Sequence, residues 1–296
     1  MKYTLKETIA KRILLKLKDK GAYYDWKFAK KLPPDISVPK LREERPRPVF
    51  KHSGNSGDII YALPAMYAAA GGKKIQLALS LEGRAKYDQP HPLGDRMLTA
   101  ETVAMLQPLL EAQEPIQSCA VYANQEIDLD FDLFRKLPID AHRGDLAHWY
   151  FWTFGVSGDL SKPWLKAESN PEFGDSIVIA RSQRYNQPAI DYGFLKKYKN
   201  LVFVGVREEF DIMRAKLPDL QYAAVENFYQ LASVIAGSKL FIGNQSFPFA
   251  LAEGLKAKRL LEVYHRCPNV MPCGNNGAGF CFQPHFEKLT ADFLNP

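Results

Sequence analysis

From about residue 48 the chain alternates short apolar runs with longer amphipathic stretches, and this alternation restricts the fold more than any other feature. Runs at 48–52, 74–80, 118–123, 176–181, 201–206, 221–225, 240–244 and 259–264 have the length and β-branched or aromatic content of buried strands. Between them, 58–70, 100–113, 208–216, 226–238 and 247–255 repeat apolar residues at helical spacing, with a further helix near 192–198. Strand and helix in strict succession predict parallel βαβ units, so the expected class is α/β with two Rossmann-like doubly wound domains. A Trp-rich helix and turn at 145–164 is the expected join, which divides the chain into an arm (1–47), an N-terminal domain (48–165) and a C-terminal domain (166–296).

The 296 residues suffice for two cores of ordinary size, and 46% hydrophobic against 24% charged residues excludes a disordered chain. No apolar run approaches the ~20 residues of a membrane-spanning helix, and the start is not that of a signal peptide. The expected location is cytoplasmic. Four cysteines in so long a chain do not make a disulfide scaffold.

Charge is unevenly placed. Residues 1–51 hold 15 Lys and Arg against 6 Asp and Glu, whereas the remainder holds 24 against 27. Thr4-Leu5-Lys6-Glu7 has capping-box spacing, and Leu5, Ile9, Ile13, Leu14 and Leu17 share a face of a basic amphipathic helix that Gly21 is expected to stop. From Ala22 to Pro48 the aromatic and then proline-rich sequence suits an extended arm. The basic excess points to an anionic partner: an acidic acceptor molecule, a nucleic acid such as DNA, or a membrane surface met peripherally through residues 4–20.

Two loops could carry chemistry. His52-Ser53-Gly54-Asn55-Ser56-Gly57-Asp58 follows a strand and opens a helix, where glycines let a ligand approach the backbone and unpaired N–H groups face it. Asp58 would stand at the carboxyl edge of the first strand, able to take a proton from a hydroxyl; the plainer role is a helix cap. The second loop, Gly243-Asn244-Gln245-Ser246-Phe247-Pro248, leaves a strand and enters a helix with proline in its first turn, exposing amides and a hydroxyl to a diphosphate.

Together these two segments, with Leu63-Pro64 in the first helix, make residues 48–264 resemble the heptosyltransferase-like glycosyltransferases of the GT-B fold. The resemblance implies transfer of a sugar from a nucleotide-sugar donor to the hydroxyl of an acceptor, a glycolipid or saccharide or else DNA, with inversion, with Asp58 as general base, His52 to Gly57 as the acceptor loop, and Asn244, Gln245, Ser246 and Phe247 at the donor diphosphate. Gln245, Phe247 and Ala250 depart from the family pattern, which has Asp, Gly and His at those positions. It also implies no cofactor and no metal, since the nucleotide-sugar is a substrate. A non-catalytic nucleotide-sugar or nucleic-acid binding protein is the alternative reading.

Other positions complete the expected donor side. Arg181, Ser182, Arg184 and Tyr185 end one strand, where the two guanidinium groups could grip phosphate oxygens, or form a solvated basic turn. Gly205, Glu208 and Glu209 end the next, where a carboxylate could hold ribose hydroxyls or simply favour a helix N-terminus. Asp128, Asp130 and Asp132 alternate as divalent-ion ligands can, yet two doubly wound halves are not the architecture that uses such a pair. His265, Cys267, Cys273, Cys281 and His285 lack zinc-ligand spacing and read as isolated thiols and imidazoles.

Overall fold

The computed structural model describes residues 5–33, 37–41, 45–87 and 93–295, with side chains from residue 9. The Thr4 capping box lies outside the described residues.

The first half is a four-stranded parallel sheet of order β3-β2-β1-β4, made by β1 (Val49–His52), β2 (Ile75–Leu79), β3 (Ile116–Val121) and β4 (Leu129–Asp130). Register pairs Phe50 with Leu77 on one side and with Leu129 on the other. The helices are α3 (Ser56–Ala70), α4 (Ala100–Glu111), α5 (Leu133–Lys136) and α6 (Leu146–Phe154). The second half is a six-stranded parallel sheet of order β10-β9-β8-β5-β6-β7. Its strands are β5 (Ile177–Ala180), β6 (Leu201–Phe203), β7 (Gln221–Tyr222), β8 (Leu240–Asn244), β9 (Arg259–Glu262) and β10 (Gly277–Phe280), with α7 (Arg207–Arg214), α8 (Phe228–Gly237), α9 (Phe247–Leu255) and α10 (Gln283–Leu294). Residues 192–198, expected as a helix, form a 3-10 turn, Tyr192–Lys197.

The two halves share a core. One cluster runs from Phe50, Ile59 and Leu63 through Phe131, Tyr150 and Phe154 to Phe249, Ala250 and Leu251, because α3 packs on α9 as well as on α6. Fully buried aromatics of this kind contribute roughly 3 kcal/mol or more each. Trp164 fastens the join: its indole N–H donates to Ile60 O at 3.1 Å, and the amides of Trp164 and Leu165 donate to Gly254 O. A second core, around Ile179, Tyr192, Phe203, Phe280 and Phe286, lies under the other face of the six-stranded sheet.

The N-terminal segment differs from expectation. After α1 (Leu5–Lys18) the chain does not extend at Gly21 but turns into a second helix, α2 (Lys20–Lys31). Asp19 caps it by accepting the Ala22 N–H at 2.9 Å, and the prolines that forbid helix begin only at Pro33. Gly21 sits in the first turn, where its cost is small.

Candidate active site

β1 delivers the first loop to the carboxyl edge of its sheet, and its conformation is set by an unusually complete set of contacts. His52 is fully buried; its Nδ1 accepts the Gly54 N–H at 2.9 Å, which leaves Nε2 to donate to Tyr150 Oη at 2.8 Å. Burial holds the imidazole pKa well below its usual value, so a neutral His52 supports the loop from inside the protein. The Ser53 N–H donates to Asp132 Oδ1 at 3.0 Å. Gly54 is a glycine for a local reason: a Cβ there would collide with the Arg135 guanidinium and the His52 ring.

Arg135 fills that space and reaches Asp58, 77 positions away, with Nη2 at 2.6 Å from Oδ2, while its Nη1 lies 2.9 Å from Asp132 Oδ1. Asp58 is therefore not the helix cap, since Asn55 occupies the N-cap of α3 and Asp58 lies in the first turn. Its side chain is 26% exposed, and among the described residues Oδ1 has no hydrogen-bond partner. A carboxylate with one oxygen oriented by an arginine and the other without a protein partner among the described residues can accept a proton. Arg135 and Tyr150 were not anticipated, and the sequence offers Asp132 only as a divalent-ion ligand. No local spacing marks their meeting, since the edge strand β4 and the one-turn α5 bring Asp132 and Arg135 to the Asp58 loop across the sheet while α6 brings Tyr150 to His52.

From the second half, α9 brings its first turn against this loop. The site of a Cβ on Gly57 would be 3.9 Å from Phe247 Cα and 3.9 Å from Ala250 Cβ, ordinary contact. Pro248 lacks an N–H, and the first turn leaves the amides of Phe247 and Phe249 without intrahelical acceptors. The Ser246 N–H is already given to Asn244 O at 2.7 Å, and its hydroxyl lies 3.3 Å from the same oxygen.

Arg184 bridges the two halves. Its guanidinium lies 4.6 Å from the Tyr87 ring of the first half and 4.8 Å from the Tyr185 ring of the second, and it is in no ion pair among the described residues. Tyr87 in turn donates to Asn55 Oδ1 at 2.6 Å. Tyr185 adopts φ +57, a left-handed backbone that costs a non-glycine residue about 1–2 kcal/mol. Asn244 holds that turn: fully buried, it accepts the Ser182 N–H at 3.1 Å and donates to the carbonyls of Ser182 and Arg184.

Three residues expected to face the donor are instead spent on the protein. Asn244 is one. Gln245, 8% exposed, accepts the Tyr264 N–H and donates to Cys267 O and Asn269 Oδ1, so an amide stands there because both an acceptor and donors are needed. Arg181 forms a two-pronged pair with buried Glu262, at 2.7 and 2.8 Å. Glu209 accepts the Gln183 N–H at 3.0 Å, and burial raises its pKa; Glu208 stays exposed in the first turn of α7, next to Gly205 at φ +143.

A consequence can be measured directly. Gln245→Glu places a carboxylate against two oxygens and removes both donors, so it is expected to destabilise the fold by about 2–4 kcal/mol, read as a fall in melting temperature. An unchanged melting temperature would return Gln245 to the solvent side of the loop.

The remaining clusters resolve into separate contacts. Asp128 pairs with Arg45 and caps the Val49 amide, Asp130 pairs with Lys51, and Asp132 serves the Asp58 loop. The cysteines are free thiols: Cys267 Sγ lies 3.4 Å from His142 Nδ1 with its pKa pushed up to about 11 by burial, while Cys281 donates to Val263 O and His265 meets Gln187. Among the described residues no group of three or more such side chains is placed to hold a metal ion.

No family model matches the sequence, and no curated protein is similar to it. Solved structures are similar in fold. ADP-heptose lipopolysaccharide heptosyltransferase II of E. coli superposes with a TM-score of 0.54 at 11% identity, covering 84% of this chain and 98% of that one. A glycosyl transferase family 9 protein of Veillonella parvula gives 0.52 at 13% identity, covering 88% and 91%. The chain thus has the GT-B arrangement of two parallel α/β sheets, as the sequence resemblance implied.

Proposed function

We propose that the protein is a glycosyltransferase that moves a sugar from a nucleotide-sugar donor to an acceptor hydroxyl, with inversion, in the crevice between the sheets. The observation that supports this best is the meeting, at the carboxyl edges of both sheets, of an arginine-oriented carboxylate with a helix N-terminus and a cation without an ion-pair partner among the described residues. In this reading residues 48–165 receive the acceptor and 166–296 the donor.

Asp58 Oδ1 takes the proton of the acceptor hydroxyl as its oxygen attacks the anomeric carbon, and the bond from that carbon to the diphosphate oxygen breaks. The amides of Phe247 and Phe249 and the guanidinium of Arg184 meet the charge left on the departing diphosphate, without a metal ion. Neither Arg181 nor Gln245 has a part in this step. The acceptor is an anionic glycolipid or saccharide, with DNA as the other anionic polymer of the same charge.

Arg184→Ala is expected to raise the Kd for a nucleoside diphosphate about ten- to hundredfold, the size of a lost charge-assisted contact. Calorimetry gives the value. A thermal-shift screen of nucleoside diphosphates and nucleotide-sugars tests the whole reading, because a ligand at about 100 times its Kd stabilises a fold by about 2.7 kcal/mol. If none of them shifts the melting temperature, the nucleotide-sugar site does not exist.

A further inference from the structure

The hairpin of α1 and α2 lies outside both cores, and no residue of α2 is buried. Its two helices hold each other through stacked cations: Arg12 lies 5.0 Å from the Trp26 ring and Lys16 5.8 Å from Tyr23. That pairing uses one side of each helix. On α1 the residues Ile9, Ile13 and Leu17, spaced four apart, are 48%, 56% and 79% exposed. On α2 the pair Tyr24 and Phe28, also four apart, is about half exposed. Each helix therefore keeps an apolar stripe in solvent, an arrangement a folded chain does not retain without something to cover it.

Charge decides what covers it. Residues 5–31 carry nine Lys and Arg against three Asp and Glu. Lys18, Lys20, Lys27 and Lys31 are exposed around the stripes. A second copy of the hairpin would bring like charges together, and a nucleic acid would leave the stripes wet. An anionic bilayer satisfies both features, burying the apolar side chains at the level of the headgroups while the lysines meet lipid phosphates. We propose that the α1–α2 hairpin docks the protein on an anionic phospholipid membrane. Among the described residues no helix is long and apolar enough to cross one, so this is contact with a surface.

The test is sedimentation of the full chain with vesicles of phosphatidylcholine alone or mixed with phosphatidylglycerol, and it needs no enzymatic activity. The protein is expected to sediment with the mixed vesicles and to stay in solution with the neutral ones. Ile13→Asp with Leu17→Asp should lower the partition coefficient at least about tenfold. Changing Lys18, Lys20, Lys27 and Lys31 to Gln should lower it several-fold per charge, by an amount that shrinks as salt rises. Both variants should keep the melting temperature and the nucleoside-diphosphate affinity of the parent. Equal partition of parent and Asp variant, or none to mixed vesicles, would overturn the proposal. So would a fall in melting temperature in the Asp variant, which would mean that the stripe packs on the protein, or its conversion of a dimer to a monomer without vesicles, which would mean a second copy. Binding of a DNA duplex that the Asp variant leaves unchanged, with no vesicle binding, would also overturn it.

Discussion

Asp58→Asn is expected to lower the rate of sugar transfer by about 10²- to 10⁴-fold, the usual contribution of a positioned general base, while donor affinity stays within a few-fold of the parent. The amide is isosteric and can still meet Arg135 with its oxygen, so the loop should hold; what is lost is the capacity to accept a proton. The measurement is turnover at saturating donor beside calorimetry with the nucleoside diphosphate. Near-parental turnover would make the Asp58–Arg135 pair a brace for the loop and nothing more.

The largest expected effect on stability is at Glu262. Its buried carboxylate accepts two bonds from Arg181, one from the Gln187 N–H at 2.7 Å and one from Tyr192 Oη at 3.0 Å. Glu262→Ala leaves the Arg181 charge, 13% exposed, without its partner, a change that costs about 3–5 kcal/mol. The melting temperature should fall by roughly 10 °C for a unit of this size. Replacing both residues by methionine should restore much of the loss, since a buried pair is often dispensable when removed whole. A single variant as stable as the parent would show that Arg181 does not depend on Glu262, and would return it to the candidates for phosphate binding.

The sheets were legible in the sequence because parallel strands buried on both faces read as unbroken apolar runs, as Ile177–Ala180 and Leu240–Asn244 do. β10 has no such run: Gly277, Ala278 and Gly279 are held by pairing to β9, a backbone property that side-chain pattern does not record. β4 is two residues long and falls below any periodicity. The second N-terminal helix is obscured by the prolines that follow it, which begin at Pro33 and dominate the segment to Pro48, whereas 22–31 contains none. At the site, the loop carrying Asp58 and the turn before α9 could be found from local order of strand, small residues and helix. Arg135 and Tyr87 could not, since Arg135 comes from a helix of a single turn and Tyr87 from an irregular segment, both distant in sequence from the residues they meet. Nor could the division of labour among the polar residues. Whether Asn244 or Gln245 faces a ligand or a neighbouring loop depends on the packing of Ser182 and Tyr264, which are distant in sequence.

Chemistry between the two sheets is measured most directly by acceptor-free hydrolysis of a bound nucleotide-sugar, followed by proton NMR of the released sugar. With water in place of the acceptor, the protein is predicted to release nucleoside diphosphate slowly and to yield first the anomer opposite to that of the donor. Recovery of the bound nucleotide-sugar intact, under conditions where binding is saturated, or release with the donor's own anomeric configuration, would contradict the account.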